Sequence, residues 1–293
     1  MRFLAVTLFW FASVGAATAS DVFIGTLRSP SGSPEAGGHL YRVDSRSAAV
    51  TFVGRVMVDG AQPVGLTAMA FHPRTHVLYG ITIGINDSTR ARLLTIDPSN
   101  AEARIVARLS KPLSDISFSP DGRLFGWTAN TGQLAVVDIT NGNVTTLGET
   151  VGAPLGAAFA IDSGGNAYAA PWVAGGRLER VDLAAGTVIP GPAVSGMDPT
   201  SLRSMAFSPR GELLAIHSVR TTSFASTLVR IDPATGGTSK VGEIPADSEA
   251  IAAEMREPAM DAERLRYGLY GLLVALSVVL AAARFMRRPS RRS

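Results

Sequence analysis

Apolar and polar positions between residues 113 and 149 fall into four short β-rich runs, at 115–118, 124–128, 134–139 and 144–147. Between them stand Pro120-Asp121-Gly122, Asn130-Thr131-Gly132 and Asn141-Gly142, residue types that supply the backbone conformations of tight turns. Four strands in about 40 residues make one antiparallel unit of the size of a propeller blade. The unit recurs along the chain. Phenylalanines that close its first strand stand at Phe71, Phe118, Phe159 and Phe207, and aspartates that close its third strand at Asp44, Asp97, Asp138, Asp182 and Asp232. Both markers return at intervals of roughly 40–55 residues, and a period shared by two independent markers is the signature of a repeat architecture.

Taken in order, residues 21–27, 39–43 and 51–56 match a second, third and fourth strand, so the first unit has no first strand. Units two to five occupy residues 64–109, 113–149, 154–194 and 199–244. Residues 248–254 then resemble the first-strand segments 66–71 and 202–207, with nothing after them to build a blade. The expected fold is therefore an all-β propeller of five four-stranded blades, closed by this last strand pairing into blade one. Such a ring leaves no open seam to seed aggregation. A sixth blade would need a degenerate unit, for which only residues 28–38 offer length. Unit four departs from the pattern: Ile161 replaces the turn proline, and Ser163-Gly164-Gly165 adds a residue.

The two ends read as addressing segments. Arg2, the apolar run 3–14 and Ala17-Thr18-Ala19 form a signal peptide cleaved after Ala19, giving a leader at 1–19 and a propeller at 20–255. A charged stalk at 256–266 leads to a transmembrane helix at 267–286, whose first part, 267–283, carries no charge. That stretch is about 25 Å long at about 1.5 Å per residue, so Arg266 and Arg284 must snorkel for it to span a bilayer. The basic tail at 287–293 continues the arginine run and, by the positive-inside bias, lies in the cytoplasm with the propeller outside or in the periplasm.

These arginines also explain the charge. The chain is formally +3, with a pI near 9.6, yet Arg2 and the C-terminal arginines account for the excess, and the exported part is slightly acidic. It offers no electrostatic case for nucleic acid. With no cysteine, there are no disulfides, and the fold is held by packing alone.

Ser119-Pro120-Asp121-Gly122-Arg123-Leu124 and Ser208-Pro209-Arg210-Gly211-Glu212-Leu213 resemble the SPDG signature of WD40-like and TolB-type propeller repeats. Ile231-Asp232-Pro233-Ala234-Thr235-Gly236 and Ile96-Asp97-Pro98 resemble the turn of secreted bacterial propellers, including YVTN-type repeats. The resemblance covers residues 21–254 and implies the fold rather than an activity, since propellers host lectins, lactonases, cyclotransferases and scaffolds. Glu257-Pro258, the apolar span and the arginine cluster resemble a PEP-CTERM sorting signal, with Arg256 where that motif has its first proline.

Candidate chemistry is sparse. The five repeated aspartates read as turn caps, each accepting N–H groups from the turn it precedes. His72 and His76 flank a turn containing Pro73, which denies them the helix that would pair them on a metal; His39 and His217 are isolated. Nucleophile-elbow, phosphate-loop, zinc-helix and EF-hand motifs are absent, so no catalytic or metal-ligating residue is assigned. What remains is one mouth of the central channel. Thr67, Ser114, Arg203 and Glu249 take equivalent entry positions, beside Asp115 and Ser204. The loops on that face carry Asn86 and Asp87, Trp172, and Arg220. Asp115, Arg203, Glu249 and Trp172 are the expected ligand-binding residues. The expected role is a membrane-anchored binding or scaffold module for a protein or polysaccharide, without a cofactor. The alternative is a calcium-dependent lactonase-like or cyclotransferase-like enzyme, with Asp115 and Glu249 holding Ca2+.

Overall fold

A computed structural model describes residues 22–28, 37–84, 87–149, 156–173, 175–219 and 225–254. The expected leader, stalk, membrane span and basic tail lie outside these residues, as do Asn86 and Arg220. Among the described residues no helix is long and apolar enough to cross a membrane.

The strands form five blades. Blade one holds β1 (Val22–Thr26), β2 (His39–Val43) and β3 (Val50–Arg55); a hairpin of β4 (Met57–Val58) and β5 (Gln62–Pro63) follows. Blade two holds β6 (Ala68–Phe71), β7 (Leu78–Gly84), β8 (Asp87–Ile96) and β9 (Glu102–Arg108), and blade three β10 (Leu113–Phe118), β11 (Leu124–Thr128), β12 (Leu134–Val137) and β13 (Val144–Leu147). Blade four holds β14 (Ala157–Ile161), β15 (Ala167–Pro171), β16 (Glu179–Val181) and β17 (Val188–Ile189), and blade five β18 (Leu202–Phe207), β19 (Leu213–Ser218), β20 (Ser226–Ile231) and β21 (Thr238–Ile244). The last strand, β22 (Ser248–Ala253), pairs antiparallel with β1, opposing Ile251 to Ile24 and Ala253 to Val22, and so supplies the missing inner strand of blade one.

Apolar side chains fill the layers between blades, because both faces of every blade are covered by neighbours. The seam layer shows the principle: Val22, Ile24 and Ile251 from blade one meet Leu214, Ile216 and Leu228 from blade five, all fully buried. Each such side chain contributes about 1.5–3 kcal/mol relative to exposure. Trp127 of blade three and Phe159 of blade four meet in the same way, with ring centroids 6.3 Å apart.

Two local expectations are corrected. Phe159 lies mid-strand in the blade three–four layer, and Ile161 closes β14, opposite Ala167, as Phe118 closes β10 opposite Leu124. The following turn has no added residue. Asp162 N donates to Asn166 O and Gly165 N to Asp162 O, the pattern that Ser119, Gly122 and Arg123 make in blade three. Asp162 Oδ1 accepts from the Gly164 and Asn166 amides, so a carboxylate organises this turn where blades three and five use serine and proline and blade two histidine and proline. The β4–β5 hairpin was not expected at all. It turns on Asp59-Gly60, both at positive φ, and β4 lies parallel on β9, covering the outer edge of blade two. Protecting an open strand edge in this way blocks pairing with other chains.

The repeated aspartates cap turns as expected. Each accepts the N–H two residues on, from Arg46, Ser99, Thr140, Ala184 and Ala234, at 2.8–3.0 Å. Four residues after each aspartate the backbone is left-handed, at Ala48, Ala101, Gly142, Gly186 and Gly236. These turns dock on the preceding blade with no room to spare. A Cβ on Gly142 would fall 2.2 Å from Arg108 O, and one on Gly236 2.2 Å from Ala193 O. Where the turn carries alanine, the neighbour carries the glycine: Gly242 faces Ala48 across the seam, and Gly54 faces Ala101.

Candidate functional site

The inner strands β10, β18 and β22 each carry a β-bulge near their start. The paired register skips Ser114 in β10, slips between Leu202 and Met205 in β18, and skips Glu249 in β22. A bulge adds a residue to one strand and re-aims its side chain. Recurring at one level in three blades, it gives Ser114, Arg203 and Glu249 matching places near the starts of their inner strands, where Ser114 and Glu249 are buried.

Just past the bulge, Asp115 turns into the ring. Its side chain is wholly buried (0% exposed). Oδ1 accepts from Ile116 N at 3.0 Å and Ser204 Oγ at 2.9 Å; Oδ2 accepts from Phe159 N at 2.8 Å and Met205 N at 3.0 Å. Ser204 Oγ in turn accepts from Ile251 N at 3.3 Å. One carboxyl thus ties blades three, four and five, and through Ser204 blade one. Burial pushes its pKa well above the usual carboxylate range, against the pull of the four donors. Towards the opposite face lies a cavity of about 50 Å³ lined by Met69, Ile116, Ser117 and Met205, with Phe71, Phe118, Ile161 and Phe207 at its rim. That is room for a water or two, not for an organic ligand.

The other expected site residues divide. Glu249 is buried, 6% exposed. Trp172, in the loop after β15, and Arg203 come together: the guanidinium carbon lies 5.7 Å from the indole centroid, and Arg203 Nη2 donates to Ser218 O at 3.1 Å. Trp172 N donates to Gly156 O, and a Cβ on Gly156 would come 3.2 Å from Trp172 Cζ3, so a glycine lets the indole lie against the mouth. Two residues that sequence reasoning left aside join them. His217, near the end of β19, is cross-strand partner of Leu202, and Asp198 caps the 3-10 turn Pro199–Ser201 by accepting from Thr200 N at 3.0 Å. Burial lowers the His217 pKa, with Asp198 opposing that shift and Arg203 adding to it. Trp172 Nε1 and His217 Nε2 are buried without a hydrogen-bond partner among the described residues. The signal for His217 was its place beside the bulge in Leu202–Phe207, which becomes visible only once strand register is known.

Elsewhere the chemistry is structural. The turn aspartates Asp97, Asp138, Asp182 and Asp232 are held below the ordinary carboxylate range by their donors, led by the hydroxyls of Ser99, Thr140 and Thr235 and the Ala185 amide. The His72 ring packs tilted against Phe118 with centroids 4.9 Å apart, and His76 lies 3.4 Å from Glu254. Among the described residues no group of three or more His, Asp or Glu side chains is placed to hold a metal ion. A groove of about 700 Å³ between the β4–β5 hairpin and β8–β9 mixes Asp59, Asp97 and Glu102 with Arg104, away from the mouth.

Comparison with known proteins agrees with this architecture. A chain in the crystal structure of a nidogen/laminin complex matches with a TM-score of 0.52 at 8% identity, over 80% of this chain and 98% of that one. TolB from Acinetobacter baumannii matches with a TM-score of 0.47 at 15% identity, over 81% of this chain and 67% of that one. The periplasmic gluconolactonase PpgL of Pseudomonas aeruginosa matches with a TM-score of 0.42 at 14% identity, over 79% and 84%. At 8% identity the nidogen/laminin match speaks to fold alone, and nothing is drawn from the other two. No curated protein matches the sequence. The family described as "Repeat of unknown function (DUF6923)" matches residues 18–187. That is more than half of the chain, which therefore belongs to the DUF6923 repeat family.

Proposed function

We propose that the protein is an exported, membrane-tethered ring that serves as a binding module and takes its ligand at the mouth where Trp172 and Arg203 meet. The meeting of these side chains, 5.7 Å apart and drawn from neighbouring blades, carries this reading. An aromatic plate, a cation and a histidine gathered on one face of a rigid scaffold is the composition of a recognition site. Asp115, enclosed and fully hydrogen-bonded, supports the mouth from beneath. The apolar run 3–14 before Ala19 and the uncharged stretch 267–283 before its arginines favour export and tethering.

The test immobilises the full chain and exposes it to a cell-envelope extract; retained small molecules and glycans are eluted and identified by mass spectrometry. The reading predicts a species held by the wild type and lost from the Trp172→Ala/Arg203→Ala variant, with melting temperatures within a few degrees of each other. Equal retention by both proteins, or retention of nothing, contradicts it. Hydrolysis of a lactone, with or without added calcium, would replace it with the enzymatic alternative.

A further inference from the structure

Each blade ends in an outer strand whose far edge points away from the ring axis. An open edge offers unpaired N–H and C=O groups to other chains, and proteins blunt such edges with short strands, charges or a covering segment. Four of the five edges here are blunted. β4 covers β9, β13 and β17 have four and two residues, and β21 carries exposed Lys240 and Glu243, 3.4 Å apart. β3 is not: it has six residues, no charge before Arg55, and among the described residues it pairs with β2 alone. Val50 and Phe52, which share a face, are 40% and 57% exposed.

Strand register shows which main-chain groups point outward. Asp44 N donates to Ala49 O, so the β2–β3 bonds alternate from there: Thr51 faces Arg42 in a hydrogen-bonded pair, while Val50 and Phe52 turn their N–H and C=O away from β2. Val53 is the extra residue of a bulge and ends the regular run. The Phe52 ring is held in place, its centroid 5.2 Å from that of His39 and 5.5 Å from that of Tyr41. The uncharged run 49–54 lies between two exposed cations, Arg46 in the turn before it and Arg55 at its end. Asp44, the carboxylate of that turn, is buried and accepts from the Arg46 and Ser47 amides. A strand laid on this edge therefore meets apolar side chains at its centre and positive charge at both ends.

We infer that the outer edge of β3 takes up an extended segment of a partner protein, apolar or β-branched at its centre and acidic at both ends, as an added strand of blade one. Main-chain bonds to Val50 and Phe52 supply the affinity, and Arg46 and Arg55 the preference for acidic ends. The edge lies on the outside of the ring, so this surface and the mouth stand or fall independently.

The experiment uses the full-length chain in mild detergent and reads the fluorescence anisotropy of labelled peptides. The probe is Glu-Val-Thr-Val-Thr-Val-Glu, compared with a version ending in Lys at both ends and with versions N-methylated on alternate amides in either phase. The acidic probe is expected to bind with a dissociation constant of about 100 μM or tighter, and the Lys-ended one about fivefold more weakly. N-methylation in the phase that faces β3 deletes the edge donors, keeps the side chains, and is expected to abolish binding. Val50→Glu/Phe52→Glu places charge on the edge as β21 does and should weaken the acidic probe about tenfold, with a melting temperature within a few degrees of wild type. The N-methylated probes make the same point on the wild type should that variant unfold. No binding of the acidic probe, equal affinity for the Lys-ended one, or binding that survives N-methylation in both phases overturns the inference. So does a dimer seen by sedimentation in the wild type and lost in Val50→Glu/Phe52→Glu, which assigns the edge to a second copy of the chain.

Discussion

Exchanging a single methyl group across the ring seam tests how the blades fit. A Cβ added to Gly242 of β21 would lie 2.6 Å from Ala48 Cβ, with Ser47 O next at 3.3 Å. Ordinary carbon contacts are about 3.5–4.0 Å, so Gly242→Ala drives one methyl about 1 Å into another, and overpacking of this kind costs about 1–3 kcal/mol. Against it stands a gain of about 0.4–1 kcal/mol from a less flexible unfolded chain. The single substitution is therefore expected to destabilise by about 0.5–2 kcal/mol. Ala48→Gly removes the obstructing methyl and relieves a left-handed alanine at φ 56°. That relief of about 1–2 kcal/mol roughly cancels the lost burial of about 0.8 kcal/mol and the looser unfolded chain, so alone it should be near neutral.

The double variant Ala48→Gly/Gly242→Ala should then recover most of the loss. In a double-mutant cycle by urea unfolding, the coupling should be about 1–3 kcal/mol in favour of the pair. Gly54 and Ala101 supply the control. A Cβ on Gly54 would strike Asn100 O at 2.5 Å, an atom that Ala101→Gly leaves in place. Ala101→Gly should therefore fail to rescue Gly54→Ala. Additivity of the Ala48 and Gly242 changes to within about 0.5 kcal/mol, or equal rescue at both seams, would refute the reasoning.

Four further outcomes follow from the same geometry. Asp115→Ala orphans the Ile116, Phe159 and Met205 amides and should cost about 3–5 kcal/mol in chemical denaturation; Asp115→Ser, which can still accept, should cost less, and equal losses would contradict this. Because the folded pKa of Asp115 is raised, its stabilising contribution is complete below the unfolded value, near 3.9, and is lost as pH rises towards the raised one. Wild type minus Asp115→Asn stability should therefore shrink as pH climbs from 4, whereas a difference that grows would reverse the sign. The turn aspartates behave oppositely: Asp138, held low by Thr140, stabilises above its unfolded pKa and loses that effect as pH falls through its lowered folded value, so Asp138→Ala should lower the unfolding midpoint at pH 7 and by progressively less as the pH falls below about 4. Gly142→Ala should unfold or aggregate the protein, since φ is 76° and the new Cβ would lie 2.2 Å from Arg108 O; a soluble variant with wild-type melting would show that this turn does not dock on blade two.

Much of the fold was legible because both markers of the repeat have physical causes. The third-strand aspartate is needed wherever the turn needs a cap, and the unmatched segment 248–254 had only one place to pair. The failures are equally specific. Alternation assigns faces by counting residues, and the bulges at Ser114, Arg203 and Glu249 add one to the count. Asp115 was therefore expected at the mouth, although it lies one step inside and is sealed there. By its aromatic ring Phe159 reads as the closing residue, whereas strand length and the Asp162–Asn166 turn make Ile161 that residue. Asp59-Gly60 is a strong hairpin signal, but the flanking strands have two residues each, too short to show alternation. Arg203 could be anticipated from equivalent repeat positions and Trp172 from its loop, but not the contact between them. His217 and Asp198 could not, since their approach depends on how two blades pack.

Ring closure underlies the mouth and every contact placed there. In a chain otherwise free of cysteine, Val22→Cys and Ala253→Cys put two thiols directly opposite each other between β1 and β22. Facing residues of an antiparallel pair have Cα atoms about 4.5–5.5 Å apart, inside the range of about 4.4–6.8 Å that a disulfide accepts. Mild oxidation should give a quantitative intramolecular crosslink, seen by mass spectrometry after alkylation and by faster migration in a non-reducing gel. Free thiols, or only intermolecular dimers, would mean that the two ends of the described chain do not meet.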